Sequence, residues 1–92
     1  MRGTTSTGFN FEINERILKD YRFTLKAKET ERGSDSDKVC AMVEMTNALL
    51  GDEGEAALCE HVKEADGIIP TEKVFKEVAE IITLARNELK NS

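Results

Sequence analysis

Apolar residues recur along the chain at helical intervals in four stretches and at a strand-like interval in one. Phe9, Phe11 and Ile13 alternate with Asn10 and Glu12, the period of an extended segment. Ile17, Leu18, Tyr21 and Leu25 then share one helical face. They predict a first helix capped by Asn14, with Glu15 in its first turn, fading near Glu31–Gly33. Gly33-Ser34-Asp35-Ser36-Asp37 is a cluster of turn and cap residues. Val39, Met42, Val43, Thr46, Leu49 and Leu50 predict a second helix, with Gly51 as its stop. Asp52-Glu53-Gly54-Glu55 has the form of a capping box. It predicts a short third helix with Ala57, Leu58, His61, Val62 and Ala65 on one side. Ile68-Ile69-Pro70 reads as an extended link, because a residue before proline avoids the helical region. Thr71 is the expected cap of a last helix carrying Val74, Val78, Ile81, Ile82, Ala85 and Leu89 on one face.

The expected fold class is mainly α: a single-domain bundle of about four helices with a short extended N-terminal segment. Met1–Gly8 is Gly, Thr and Ser with one Arg, and is expected to be a flexible terminus. Residues 9–92 are expected to form one helical domain. Leu49, Leu50, Leu58, Val62, Val78, Ile81 and Ile82 are the expected deepest residues. The chain has 92 residues, no Trp, one Tyr and four Phe, so its core must be thin and largely aliphatic.

Charge changes this picture more than composition does. The net charge is −5, which disfavours a nucleic-acid surface. Residues 1–32 nevertheless carry seven cations against five acids, a net +2, leaving −7 for the rest. Arg16, Lys19, Arg22 and Lys26 recur every three or four residues and are expected to line one side of the first helix. They are the candidate partner-binding residues. The opposed charge of the two parts also allows head-to-tail self-association.

The chemistry-bearing residues do not assemble into a recognisable reactive set. Cys59, His61 and Glu64 lie within about one helical turn, but a zinc site needs four ligands from paired motifs, and Cys40 is far away in sequence. Positions 59 and 61 of a helix point about 200° apart, so thiol and imidazole do not face each other. The acidic segments at 35–37 and 52–55 lack the spacing of a calcium loop and are explained as helix caps. No catalytic residue, cofactor or metal is therefore assigned, and an enzyme is not expected. No apolar run is long enough to span a membrane, and two cysteines suit a reducing cytoplasm.

Several short motifs occur in a telling order. Phe11-Glu12-Ile13-Asn14 leads into Leu18-Lys19-Asp20-Tyr21, and Leu49-Leu50-Gly51 follows. Then come Gly54-Glu55-Ala56-Ala57-Leu58, Glu60-His61-Val62, Asp66-Gly67-Ile68-Ile69-Pro70 and Glu77-Val78-Ala79-Glu80-Ile81. In this order and spacing, from Phe9 to Glu88, the chain resembles the tail assembly chaperones of long-tailed, non-contractile bacteriophages, encoded by phages or prophages. The stretch Arg16–Lys28 departs from the family in being more basic. The resemblance implies a non-enzymatic assembly factor of the bacterial host cytoplasm, absent from the mature virion. Its implied client is the tape-measure protein, kept soluble while the tail tube polymerises around it. The resemblance also implies a longer frameshifted form that recruits the tail tube protein. Leu89-Lys90-Asn91 is compatible with a slippery A-AAA-AAC site, and an extended product would need Asn91 and Ser92 exposed. The alternative class is a small helical regulator of a mobile element, acting on a host protein or on nucleic acid. A DNA reader would place its basic helix second in a helix-turn-helix pair, whereas the basic helix expected here comes first.

Overall fold

The computed structural model describes residues 1–91, with the backbone alone described at Asn91. The expectation about the exposure of Asn91 and Ser92 lies outside the described side chains. The protein is mainly helical, with three helices where about four were expected. Residues 1–8, expected to be a flexible terminus, are instead largely paired. Strand β1 (Arg2–Thr4) runs antiparallel to β2 (Asn10–Glu12), with Gly3 opposite Phe11. A Cβ at Gly3 would stand 2.6 Å from Phe11 Cζ, so only glycine lets the ring lie across the neighbouring strand. The Met1 amino group donates to Ile13 O at 2.6 Å and to Glu15 Oε2 at 2.9 Å. The alternation read from the sequence survives: Phe9, Phe11 and Ile13 are all buried while Asn10 and Glu12 are exposed.

The first helix is shorter than its pattern suggested. Asn14 does cap, accepting from Arg16 N–H, but the segment Glu15–Lys19 is only a 3₁₀ turn. Asp20 restarts the chain by accepting from Arg22 N–H, and α1 spans Tyr21–Arg32. This break changes the helix phase. Phe23 is the buried residue of α1, and Tyr21 and Leu25, expected on the core face, are exposed. Gly33 then ends α1, and Ser34 caps α2 (Asp35–Val62) through a reciprocal box with Asp37.

The second and third helices expected from the sequence form the two arms of α2, on either side of a kink. Gly51 leaves the helical region where the second was expected to stop, with φ 73° and ψ 172°. A left-handed φ of this kind suits glycine because it has no Cβ. Asp52 Oδ1 accepts from Asn47 Nδ2 at 2.9 Å, tying the two sides of the kink together. After a compact loop, α3 spans Thr71–Asn91. Pro70, rather than the expected Thr71, occupies its cap position, since Pro70 O accepts from the N–H groups of Lys73 and Val74.

The core joins both ends of the chain. Leu58, Val78, Ile81 and Ala85 from α2 and α3 pack with Phe9, Phe11 and Ile13 from the hairpin and with Phe23, Met45 and Leu49. Of the residues expected to be deepest, Leu49, Leu58, Val78, Ile81 and Ile82 are buried, and Leu50 and Val62 are only half-buried. On the N-terminal half of α2 the buried face is Ala41, Met45, Thr46 and Leu49, which leaves Val39 and Val43 outside.

Candidate functional site

The four candidate cations are placed by two different elements. Arg16 and Lys19 lie on the 3₁₀ turn, and Arg22 and Lys26 lie on α1, so no single helix carries the set. Arg22 folds back on the α1 cap, with Nη2 2.8 Å from Asp20 Oδ2. That guanidinium, helped by the Arg22 backbone N–H, holds the Asp20 carboxyl at about 2. Lys26 Nζ reaches Glu44 Oε2 on α2 at 2.5 Å and Glu29 Oε2 at 3.6 Å. Its pKa is raised, chiefly by the bond to Glu44. Arg16 and Lys19 are exposed and make no side-chain ion pair among the described residues.

A polar cluster that sequence reasoning missed holds the hairpin tip to α3. Glu77 is 4% exposed, and its Oε1 accepts from Thr5 Oγ1 at 2.9 Å and from Thr7 Oγ1 at 2.5 Å. His61 Nε2 lies 2.9 Å from Thr7 Oγ1 and 3.7 Å from Glu77 Oε1, and the imidazole ring packs 5.3 Å from that of Phe9. One turn along α3, Glu80 accepts from the N–H and the hydroxyl of Ser6. A signal for part of this was present in the sequence: Glu77 interrupts the apolar face between Val74 and Val78. The Thr and Ser residues carried no such signal, because their partners lie at the far end of the chain.

Hydroxyl, imidazole and carboxylate together invite comparison with a nucleophile and its base. The hydrogen-bond directions argue otherwise. The single hydroxyl hydrogen of Thr7 goes to Glu77, so Thr7 Oγ1 can only accept from His61. An imidazole donating to that oxygen cannot take a proton from it. The cluster therefore acts as a latch that satisfies a buried carboxylate and fixes the hairpin. The hollow beside it, about 600 Å³, is lined by Lys63, Lys73 and Lys76 together with His61, Thr7 and Glu77. Lys63 pairs with Glu60 at 2.8 Å, and Lys73 approaches Glu64 at 3.6 Å.

Cys40 is exposed and Cys59 half-buried, and both are free thiols. Among the described residues, no three His, Cys, Asp or Glu side chains are placed to hold a metal, and no helix is long and apolar enough to cross a membrane. What the surface does offer is apolar area on helices: Tyr21 is 73% exposed, Leu25 43%, Val39 47% and Val43 49%. No family model, curated protein or solved structure matches this chain.

Proposed function

We propose that this protein is a phage or prophage tail assembly chaperone that binds the tape-measure protein during tail morphogenesis. The observation that carries the reading is the order of motifs from Phe11-Glu12-Ile13-Asn14 to Glu77-Val78-Ala79-Glu80-Ile81. The mainly helical fold is compatible with it. So is the apolar surface on α1 and α2, because an amphipathic helical client docks by laying its apolar face on such residues. The protein would work in the cytoplasm of the bacterial host and leave before the virion is complete. A longer frameshifted form would carry a second segment for the tail tube protein, joining client and tube subunit in one bivalent molecule. The codons for Leu89-Lys90-Asn91 test that part: AAG at Lys90 would remove the slip site.

Deleting the gene from an inducible phage genome tests the reading as a whole. The expected result is full heads without tails, restored by supplying the protein in trans. Normal tails in the deletion strain would refute it.

A further inference from the structure

The 3₁₀ turn, α1 and α2 meet around an open-sided groove of about 340 Å³. Its floor is apolar: Phe23 and Met45 are buried, Ile17 is half-buried, and Ala48 is an exposed residue of the α2 wall. Two ion pairs hold the rim, Arg22 with Asp20 at the α1 cap and Lys26 with Glu44 between α1 and α2. A second hollow adjoins this groove, shares Ile17 and Asp20 with it, and carries Arg16 and Lys19.

Charge says what fits there. The acids of the rim, Asp20 and Glu44, are already engaged by Arg22 and Lys26. Arg16 and Lys19 are in no ion pair among the described residues. An apolar floor therefore opens onto unmatched positive charge, on a chain whose net charge is −5. An apolar side chain laid on the floor is taken out of water, and a carboxylate beside it meets cations that need not give up a partner. Arg16–Lys28 is also the stretch whose basic character departs from the tail assembly chaperones that the chain resembles, so this charge is a property of the chain itself.

We infer that the groove seats acidic amphipathic helices of the client, with an apolar residue on the floor and carboxylates against Arg16 and Lys19. A helix meets both requirements at once, because residues three or four apart share one of its faces. The groove thus selects among the segments of a long helical client: those with acids beside an apolar stripe bind, and basic ones do not. That the client is the tape-measure protein rests on the proposed function.

Amide shift mapping by NMR on the isotope-labelled full chain tests the inference. The probes are overlapping peptides covering the tape-measure protein of the same genome, each about 25 residues and long enough to form a helix. Acidic amphipathic peptides should shift Ile17, Phe23, Met45 and Ala48, and basic ones should not. Replacing both cations, Arg16→Gln with Lys19→Gln, should weaken binding about tenfold at about 50 mM salt, and the loss should shrink at about 0.5 M. Ala48→Gln, which adds uncharged bulk to the wall, should weaken binding about tenfold at either salt concentration. Lys76→Gln removes an unpaired cation from α3 and should leave the affinity unchanged. Unchanged circular dichroism establishes that the variants are folded. The inference is overturned by shifts confined to other surfaces, by equal binding of basic peptides, by Lys76→Gln matching the double variant, or by no peptide binding at all. The same shifts on concentrating the chain alone would overturn it too, by making a second copy the occupant. Gene deletion decides the chaperone reading separately: missing tails together with shifts elsewhere would remove this groove and keep that reading, and normal tails would remove the reading itself.

Discussion

Glu77 is the residue on which the N-terminal hairpin depends most. Its carboxylate is buried and accepts two threonine hydroxyls from the hairpin tip. Truncation by Glu77→Ala takes the acceptor from the buried Thr5 hydroxyl, which should cost about 1–3 kcal/mol. Urea unfolding measures that loss, and hydrogen exchange should quicken at Ser6–Phe9. Glu77→Gln keeps an acceptor oxygen and should lose less. A second residue-scale prediction concerns acid. Asp20 titrates at about 2 in the folded chain because Arg22 holds it ionised, below the roughly 3.9 of an unfolded aspartate. Its folded value is the lower one, so its contribution is complete above about pH 4 and fades as pH falls toward 2. The amides of the first turn of α1 should lose exchange protection over that window. Asp20→Asn, which caps without titrating, should remove this part of the acid dependence.

At the scale of elements, α2 carries the most informative positions. Leu58 is fully buried where α2 meets the rest of the core, and Leu58→Ala should cost about 2–5 kcal/mol. Gly51 separates steric from backbone effects. A Cβ there would meet nothing within 4 Å, yet φ is 73° and ψ 172°. Gly51→Ala should therefore destabilise by about 1–3 kcal/mol through backbone strain alone. An unchanged midpoint in urea would show that α2 straightens freely.

The same elements explain what the sequence made legible. Phe9, Phe11 and Ile13 announced themselves because a period of two has only two phases, and one was wholly apolar. The N-terminal half of α2 offered two apolar phases, one through Val39 and Val43 and one through Ala41 and Met45. The smaller Ala41 lets helices approach closely, but nothing local to the sequence reveals which phase meets a partner. Strand β1 escaped notice because its pairing is with residues further along the chain, and Gly3 reads as a breaker until Phe11 is seen lying across it. The four-cation stripe failed as a stripe because Asp20 inserts a second cap between Lys19 and Tyr21. Glu77 was visible as a break in the apolar face of α3, but its threonine partners lie some seventy residues away.

At the scale of the whole molecule, the N-terminal hairpin packs on α3 near the other end of the chain, and α1 and α2 expose their outer stripes. Arg16 and Lys19 stay uncommitted while Arg22 and Lys26 are drawn into pairs with Asp20 and Glu44. On the proposed reading, the exposed apolar and basic side chains meet a long helical client, and copies laid side by side gain avidity from weak contacts. Co-expression with the tape-measure protein of the same genome tests that claim most directly, by measuring the fraction of tape-measure protein left in the supernatant after centrifugation. The account predicts that the tape-measure protein is largely insoluble alone, becomes soluble with this chain, and elutes with it in one complex. A tape-measure protein that pellets equally with and without this chain would contradict it.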